Sequence, residues 1–238
     1  MRNLSLRTVG AVCALAMVAC FGVGIVLMAS SGVQVLIPET GQAGRDWIAD
    51  VDAGGGLFLV GAWLGVLGGV FGIAAFVGFY DALRSAGPVL VLAPIAGAVG
   101  MVLVTISHVV PIALAYELVP AYVDGSAEMQ SRLGDTADLV ASVCLLTNYV
   151  GNALNWGVTV PLFAFAILST KVVPRWLGWL ALFVGALGGW IGLLAPASDV
   201  VEGLTLPAFV GFFVWMASMG VALLRRRESE ELVPAPTV

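Results

Sequence analysis

Six apolar runs free of Asp, Glu, Lys and Arg succeed one another along the chain: residues 8–38, 53–80, 85–116, 139–170, 176–198 and 203–224. Each is long enough for the roughly 20 apolar residues that cross a bilayer as a helix. None alternates polar and apolar positions as a barrel strand would, and a helix satisfies its backbone hydrogen bonds within one segment. The pattern predicts an all-α membrane protein, a six-transmembrane-helix bundle with helices near 8–31, 56–80, 88–116, 137–168, 174–196 and 203–224. Residues 1–227 form the transmembrane domain in this reading. The acidic, proline-containing stretch 228–238 is expected to be a disordered cytoplasmic tail.

Composition narrows the class. Hydrophobic residues make up 60% of the 238 and charged ones 11%, against about 25% charged in soluble domains. Three Cys, one His and a net charge of −5 give no disulfide framework, no nucleic-acid-binding surface and no conventional soluble enzyme. Lys and Arg set the orientation, because short cytoplasmic loops are enriched in them. Arg2, Arg7, Arg84, Lys171, Arg175, Arg225, Arg226 and Arg227 fall on one side, with only Arg45 and Arg132 on the other. Both termini are therefore expected in the cytoplasm (N-in/C-in). The first run also resembles an export signal, and Met17-Val18-Ala19-Cys20 approaches a lipoprotein cleavage box. The continuing apolar residues 21–28 favour a retained helix instead.

The larger connections, about 32–55 and 118–136, are read as outer loops, with Trp47 and Ile48 resting at the interface. The inner connections, Tyr80 to Pro88 and Ser169 to Pro174, are tight turns. Small residues at four-residue spacing let helices approach closely in lipid. Gly61, Gly65, Gly68 and Gly72 form such a packing face in the second helix, and Gly178, Gly185, Gly189 and Gly192 in the fifth. A 3+3 inverted repeat would produce this arrangement, as would two ordinary close-packing helices.

Polar side chains at membrane depth are the candidates for chemistry, because they are costly in lipid. Asn148, Asn152, Asn155 and Thr159 recur at spacings of 4, 3 and 4, which places them on one helical face. Tyr149 and Trp156 flank that face, and Ser142 and Asp138 continue it outward. Carboxamides both donate and accept, so the face suits either a polar ligand or interhelical hydrogen bonds. His108, the lone histidine, lies near Thr105, Ser107 and Pro111, with Glu117 further out. If the third and fourth helices form a hairpin, His108 would approach Asn148 or Tyr149, with Glu117 near Asp138 at the mouth. No cofactor or metal site is predicted: paired-histidine haem ligation needs a second His, and the carboxylates have no zinc-ligand spacing.

At the start of the fifth helix, Val172-Val173-Pro174-Arg175-Trp176-Leu177-Gly178-Trp179, followed by Gly185, resembles a recurring signature of domain-of-unknown-function family 4386, a bacterial six-helix membrane family. The opening Leu6-Arg7-Thr8-Val9-Gly10 is similar too. The third helix departs from the family's pattern, which often has an Arg/Glu pair where this chain has His108 and no charge before Glu117. The resemblance implies a multi-pass protein of the bacterial plasma membrane, and carries over no functional residue.

Three functions remain open at this level. The first is binding or translocation of a small polar solute through an outer-facing cavity. The second is a non-catalytic scaffold or stress-sensor subunit that recruits a membrane partner or a second copy. The third is an enzyme acting on lipid or quinone with His108 as acid/base. The charge bias makes its own prediction. A fluorescent protein that matures only in the cytoplasm should be bright when fused after Val238 and dark when inserted at Gly125. The reverse pattern would overturn the orientation.

Overall fold

A computed structural model of the chain describes residues 5–33, 44–192 and 199–232, with side chains in the last helix described over 205–226. Pro38 and the tail beyond 232 lie outside the described residues. The elements are helical throughout: α1 (Leu6–Ser30), α2 (Gly44–Leu83), α3 (Leu92–Val123), α4 (Ala127–Leu154), α5 (Val160–Thr170), α6 (Arg175–Val184) and α7 (Asp199–Leu232). Two short 3₁₀ turns, Arg84–Ala86 and Pro88–Val91, lead from α2 to α3. A π-helical segment, Asn155–Thr159, joins α4 to α5 without a loop, and a second, Gly185–Ile191, prolongs α6.

Among the described residues, five stretches have the length and apolarity to cross a membrane: Leu6–Ser30, Gly44–Ala86, Pro88–Val123, Ala127–Thr170 and Thr205–Arg226. The long helices expose large apolar side chains, among them Val26, Val60, Val102, Leu146 and Val214. In water so much apolar exposure would drive association, whereas lipid tails are as apolar as the side chains themselves. The protein is a multi-pass membrane protein. The remaining apolar run is helical over Arg175–Ile191, shorter than the other five, and its continuation to 198 lies outside the described residues.

The first expected loop is helix from Gly44 onward, and the second is helix over nearly its whole length. α2 begins at Gly44, so Trp47, Ile48 and Gly54-Gly55-Gly56 are helical, and Trp47 is only 4% exposed. The interval 118–136 shrinks to a turn at Asp124-Gly125-Ser126 between α3 and α4. Charge had marked these intervals as leaving the apolar core, but charged residues on one helical face do not end a helix.

Contacts divide the chain into two compact units. The first comprises Met1–Val18, Phe71–Met101 and Asn152–Val238, the second Ala19–Val70 and Val102–Gly151. The helical run from α4 onward, like α1, α2 and α3, contributes to both. In the second unit Trp47, Ile48, Val51 and Phe58 of α2 bury against Met28, Ile112, Ala115, Val119 and Ala137, with the Trp47 and Phe58 rings edge to face at 5.9 Å. The Asp138 carboxylate accepts the Gly44 backbone N–H and so caps the start of α2 from α4. This is the usual repair for an orphaned first-turn donor.

In the first unit the core is aromatic. Phe76, Phe79, Phe163 and Trp215 are each fully buried, or nearly so, with ring centroids 5.7–6.5 Å apart. One crossing there is backbone on backbone. A Cβ added at Gly189 would overlap Gly157, so the two π segments meet only because both positions lack a side chain. Along the same path Gly178 faces Leu168 and Gly185 faces Pro161, while Gly192 has ordinary clearance from Thr205. On α2, Gly61 faces Gly24 and Met28, Gly65 faces His108 and Gly68 faces Phe21 in the second unit; Gly72 faces Met101 in the first.

These contacts predict opposite outcomes for two glycines. Gly189→Ala should lower stability by about 1–3 kcal/mol through overpacking. Gly22→Ala, where an added Cβ meets nothing within 4 Å, should raise it by about 0.5–1 kcal/mol through helix propensity. Thermal unfolding in the same detergent would check both signs.

Candidate functional site

The polar face of the fourth apolar run begins in regular helix and ends in the π segment. Pro161 has no N–H, so the Gly157 carbonyl loses the donor it would have four residues on. The indole Nε1–H of Trp190 replaces that donor, reaching Gly157 O at 2.9 Å. Trp190 is otherwise 67% exposed, its ring on the outer surface and its N–H turned inward. The π register also gives the Asn155 carbonyl to the Val160 N–H. Such single π turns occur often at functional sites.

This local winding fixes Asn155 and Thr159. Asn155 is 1% exposed and Thr159 fully buried. Among the described residues, Asn155 Nδ2, Asn155 Oδ1 and Thr159 Oγ1 have no hydrogen-bond partner within the protein. Trp215 Nε1, in the same unit, is in the same condition. The apolar neighbours are definite: a Cβ added at Gly97 would stand 3.0 Å from Thr159 Cγ2 and nearer still to the Phe76 ring. Phe163, one turn past Thr159, packs against Phe76 and Trp215. Leaving a buried donor or acceptor unsatisfied costs about 1–3 kcal/mol each. Three such atoms on adjacent turns of one face form a polar spot in an aromatic core, with at least two donors and two acceptors. Asn152, half-buried, continues the face toward α4 and has its own partner.

The second unit holds a different polar group, and each of its members makes a hydrogen bond within the protein. His108 Nδ1 lies 2.8 Å from Val104 O, so this nitrogen carries the proton and donates. Ser107 Oγ also donates to Val104 O, at 2.7 Å, and accepts from Asn148 Nδ2 at 3.0 Å. Asn148 thus joins α4 to α3 through Ser107, and its link to the histidine is indirect. Phe21 meets the imidazole edge on at 5.8 Å. A Cβ added at Gly65 would stand 2.6 Å from His108 Nε2, so the ring occupies space that only glycine leaves open.

The remaining candidates lie elsewhere. Tyr149 is half-buried and has a partner of its own. Glu117 is exposed toward the C-terminal end of α3. Asp138, expected at a mouth beside it, is the cap of α2. Among the described residues no three His, Cys, Asp or Glu side chains are grouped as a metal would require.

The family model described as Domain of unknown function (DUF4386) matches residues 8–224. The chain belongs to this family. No curated protein and no solved structure matches it. The residues that carry the DUF4386 resemblance, Val172–Trp179, build the turn from α5 to α6. Lys171 ends α5 in the left-handed conformation (φ 56°) and Pro174 precedes the first residue of α6. Val173 and Leu177 are buried, and Gly178 admits Leu168. In this DUF4386 chain the features that sequence reasoning missed are the π turn, the Trp190–Gly157 bond and Trp215. Pro161, visible in the sequence, marks the carbonyl at Gly157 that loses its donor, and not the tryptophan that replaces it.

The fit of His108 over Gly65 makes a testable pair. Gly65→Ala alone should destabilise by about 1–3 kcal/mol. In the His108→Ala background the same change should cost much less, because the obstructing ring is gone. A double-mutant cycle read by thermal unfolding measures the coupling, and strict additivity would contradict the contact.

Proposed function

We propose that this protein is a six-span plasma-membrane protein of bacteria, with both termini cytoplasmic, that binds a small neutral polar solute at Asn155 and Thr159. The observation that carries the reading is the pair of buried side chains without a partner within the protein. A protein that needed only interhelical hydrogen bonds would satisfy these groups internally, as it does at Ser107 and Asn148. Their chemistry selects the solute. An amide and a hydroxyl offer balanced donors and acceptors and no full charge, and a buried ion would need a counter-charge that this face lacks. The aromatic surroundings suit a compact solute with an apolar side, as in most small-molecule sites. Asn152 extends the same face and gives the solute a polar path along the helix.

Stopped-flow light scattering on proteoliposomes, with urea, acetamide and glycerol as probes, tests this directly, alongside thermal stabilisation of the purified protein by each. At least one probe should enter faster than into empty liposomes, or stabilise the protein. Asn155→Leu or Thr159→Val should weaken that effect about fivefold for each hydrogen bond of about 1 kcal/mol removed. Indifference of the wild type to all three, with folding intact, would sink the proposal for neutral solutes of this size.

A further inference from the structure

The turn between α5 and α6 and the end of α7 collect positive charge. Lys171, Arg175 and Arg225 are exposed there, and Arg226 Nη1 donates to Val172 O at 2.9 Å, fastening the end of α7 to the turn. Glu228, Glu230 and Glu231 follow in the chain, their side chains outside the described residues.

Beside this basic end lies a groove of about 440 Å³, within the range of small-molecule sites. Trp176 and Leu177 of α6 form one wall; Ala217, Val221 and Ala222 of α7 form the other, with Arg225 at one end. The small side chains on α7 create the depression, and Trp176, half-exposed, stands at its rim. From Arg225 to Ala217 the helix rises about 12 Å. The groove therefore has a guanidinium at the level where a membrane helix meets head groups, and an apolar length directed into the hydrocarbon.

We propose that this groove binds an anionic phospholipid. Arg225 takes the phosphate, with Lys171 and Arg175 adding to the local field, and the first part of one acyl chain lies along Leu177, Ala217 and Val221. Ser218, which also lines the groove, offers a hydroxyl to the glycerol ester. Charge selects the lipid. Arginine binds phosphate in charge-assisted hydrogen bonds, and a choline head group would bring a second positive charge into a cluster that is already basic. A soluble anion would meet the same positive field and leave the apolar length unfilled. The site is separate from Asn155 and Thr159, so it stands or falls independently of solute binding.

Native mass spectrometry of the full chain released from detergent, titrated with phosphatidylglycerol and with phosphatidylcholine of identical acyl chains, tests the proposal. The wild type should retain phosphatidylglycerol at least about tenfold more tightly than phosphatidylcholine, and Arg225→Gln should remove about that tenfold preference. Ala222→Phe, which fills the groove and leaves the charge, should weaken both lipids. Glycerol 3-phosphate at equal concentration should displace neither. Melting and helix content identify any variant that fails to fold, in which case Arg225→Gln, at an exposed position, decides alone. Equal retention of the two lipids, an unchanged preference in Arg225→Gln, unweakened binding in a folded Ala222→Phe, or displacement by glycerol 3-phosphate would each overturn the proposal.

Discussion

Hydrocarbon supplies no hydrogen bonds, so a helix that breaks its own ladder inside a membrane must be repaired by the protein. In this chain the break is Pro161 and the repair is Trp190. The consequences reach outward in order. To deliver an indole N–H to Gly157 O, the segment after α6 must lie against the segment after α4. That approach is open only because Gly157 and Gly189 present bare backbone to one another. Both segments adopt the π register, and the wider turn sets Asn155 and Thr159 in place within an aromatic core. One missing N–H thus links the glycines, the tryptophan and the polar spot.

The same constraint separates the two polar groups of the molecule. Around His108 every polar atom with a described bond closes a chain: Asn148 to Ser107, Ser107 to Val104, His108 to Val104. Closure of this kind rigidifies a helix contact. At Asn155 and Thr159 the chain is open. That difference is the physical ground for placing binding at the second group and packing at the first. It also weakens an acid/base role for His108, whose Nδ1 is committed to the backbone and whose Nε2 edge rests on Gly65.

Much of the helix layout was legible because charge avoidance and span length are properties of composition, readable without contacts. The ends of the helices were not. Hydropathy reports which residues tolerate lipid, whereas helix length follows from capping and packing; Asp138 capping Gly44 across two helices, and the burial of Trp47, leave no local trace. The polar face was legible as a 3.6-residue period. Its division was not, since Asn148 belongs to one compact unit and Asn152, Asn155 and Thr159 to the other. The π turn shifts the register at the point where the period was being extrapolated. The proline responsible was in plain view, but its partner Trp190 lies in a different helix.

The repaired break holds Asn155 and Thr159 away from partners within the protein. A density map of the protein in a lipid nanodisc, at a resolution that shows ordered water, tests it most directly. An occupant should stand within about 3 Å of both the Asn155 amide and the Thr159 hydroxyl, with the Trp190 indole on Gly157 O. A dry, packed interior in which both side chains bond to neighbouring helices would contradict it.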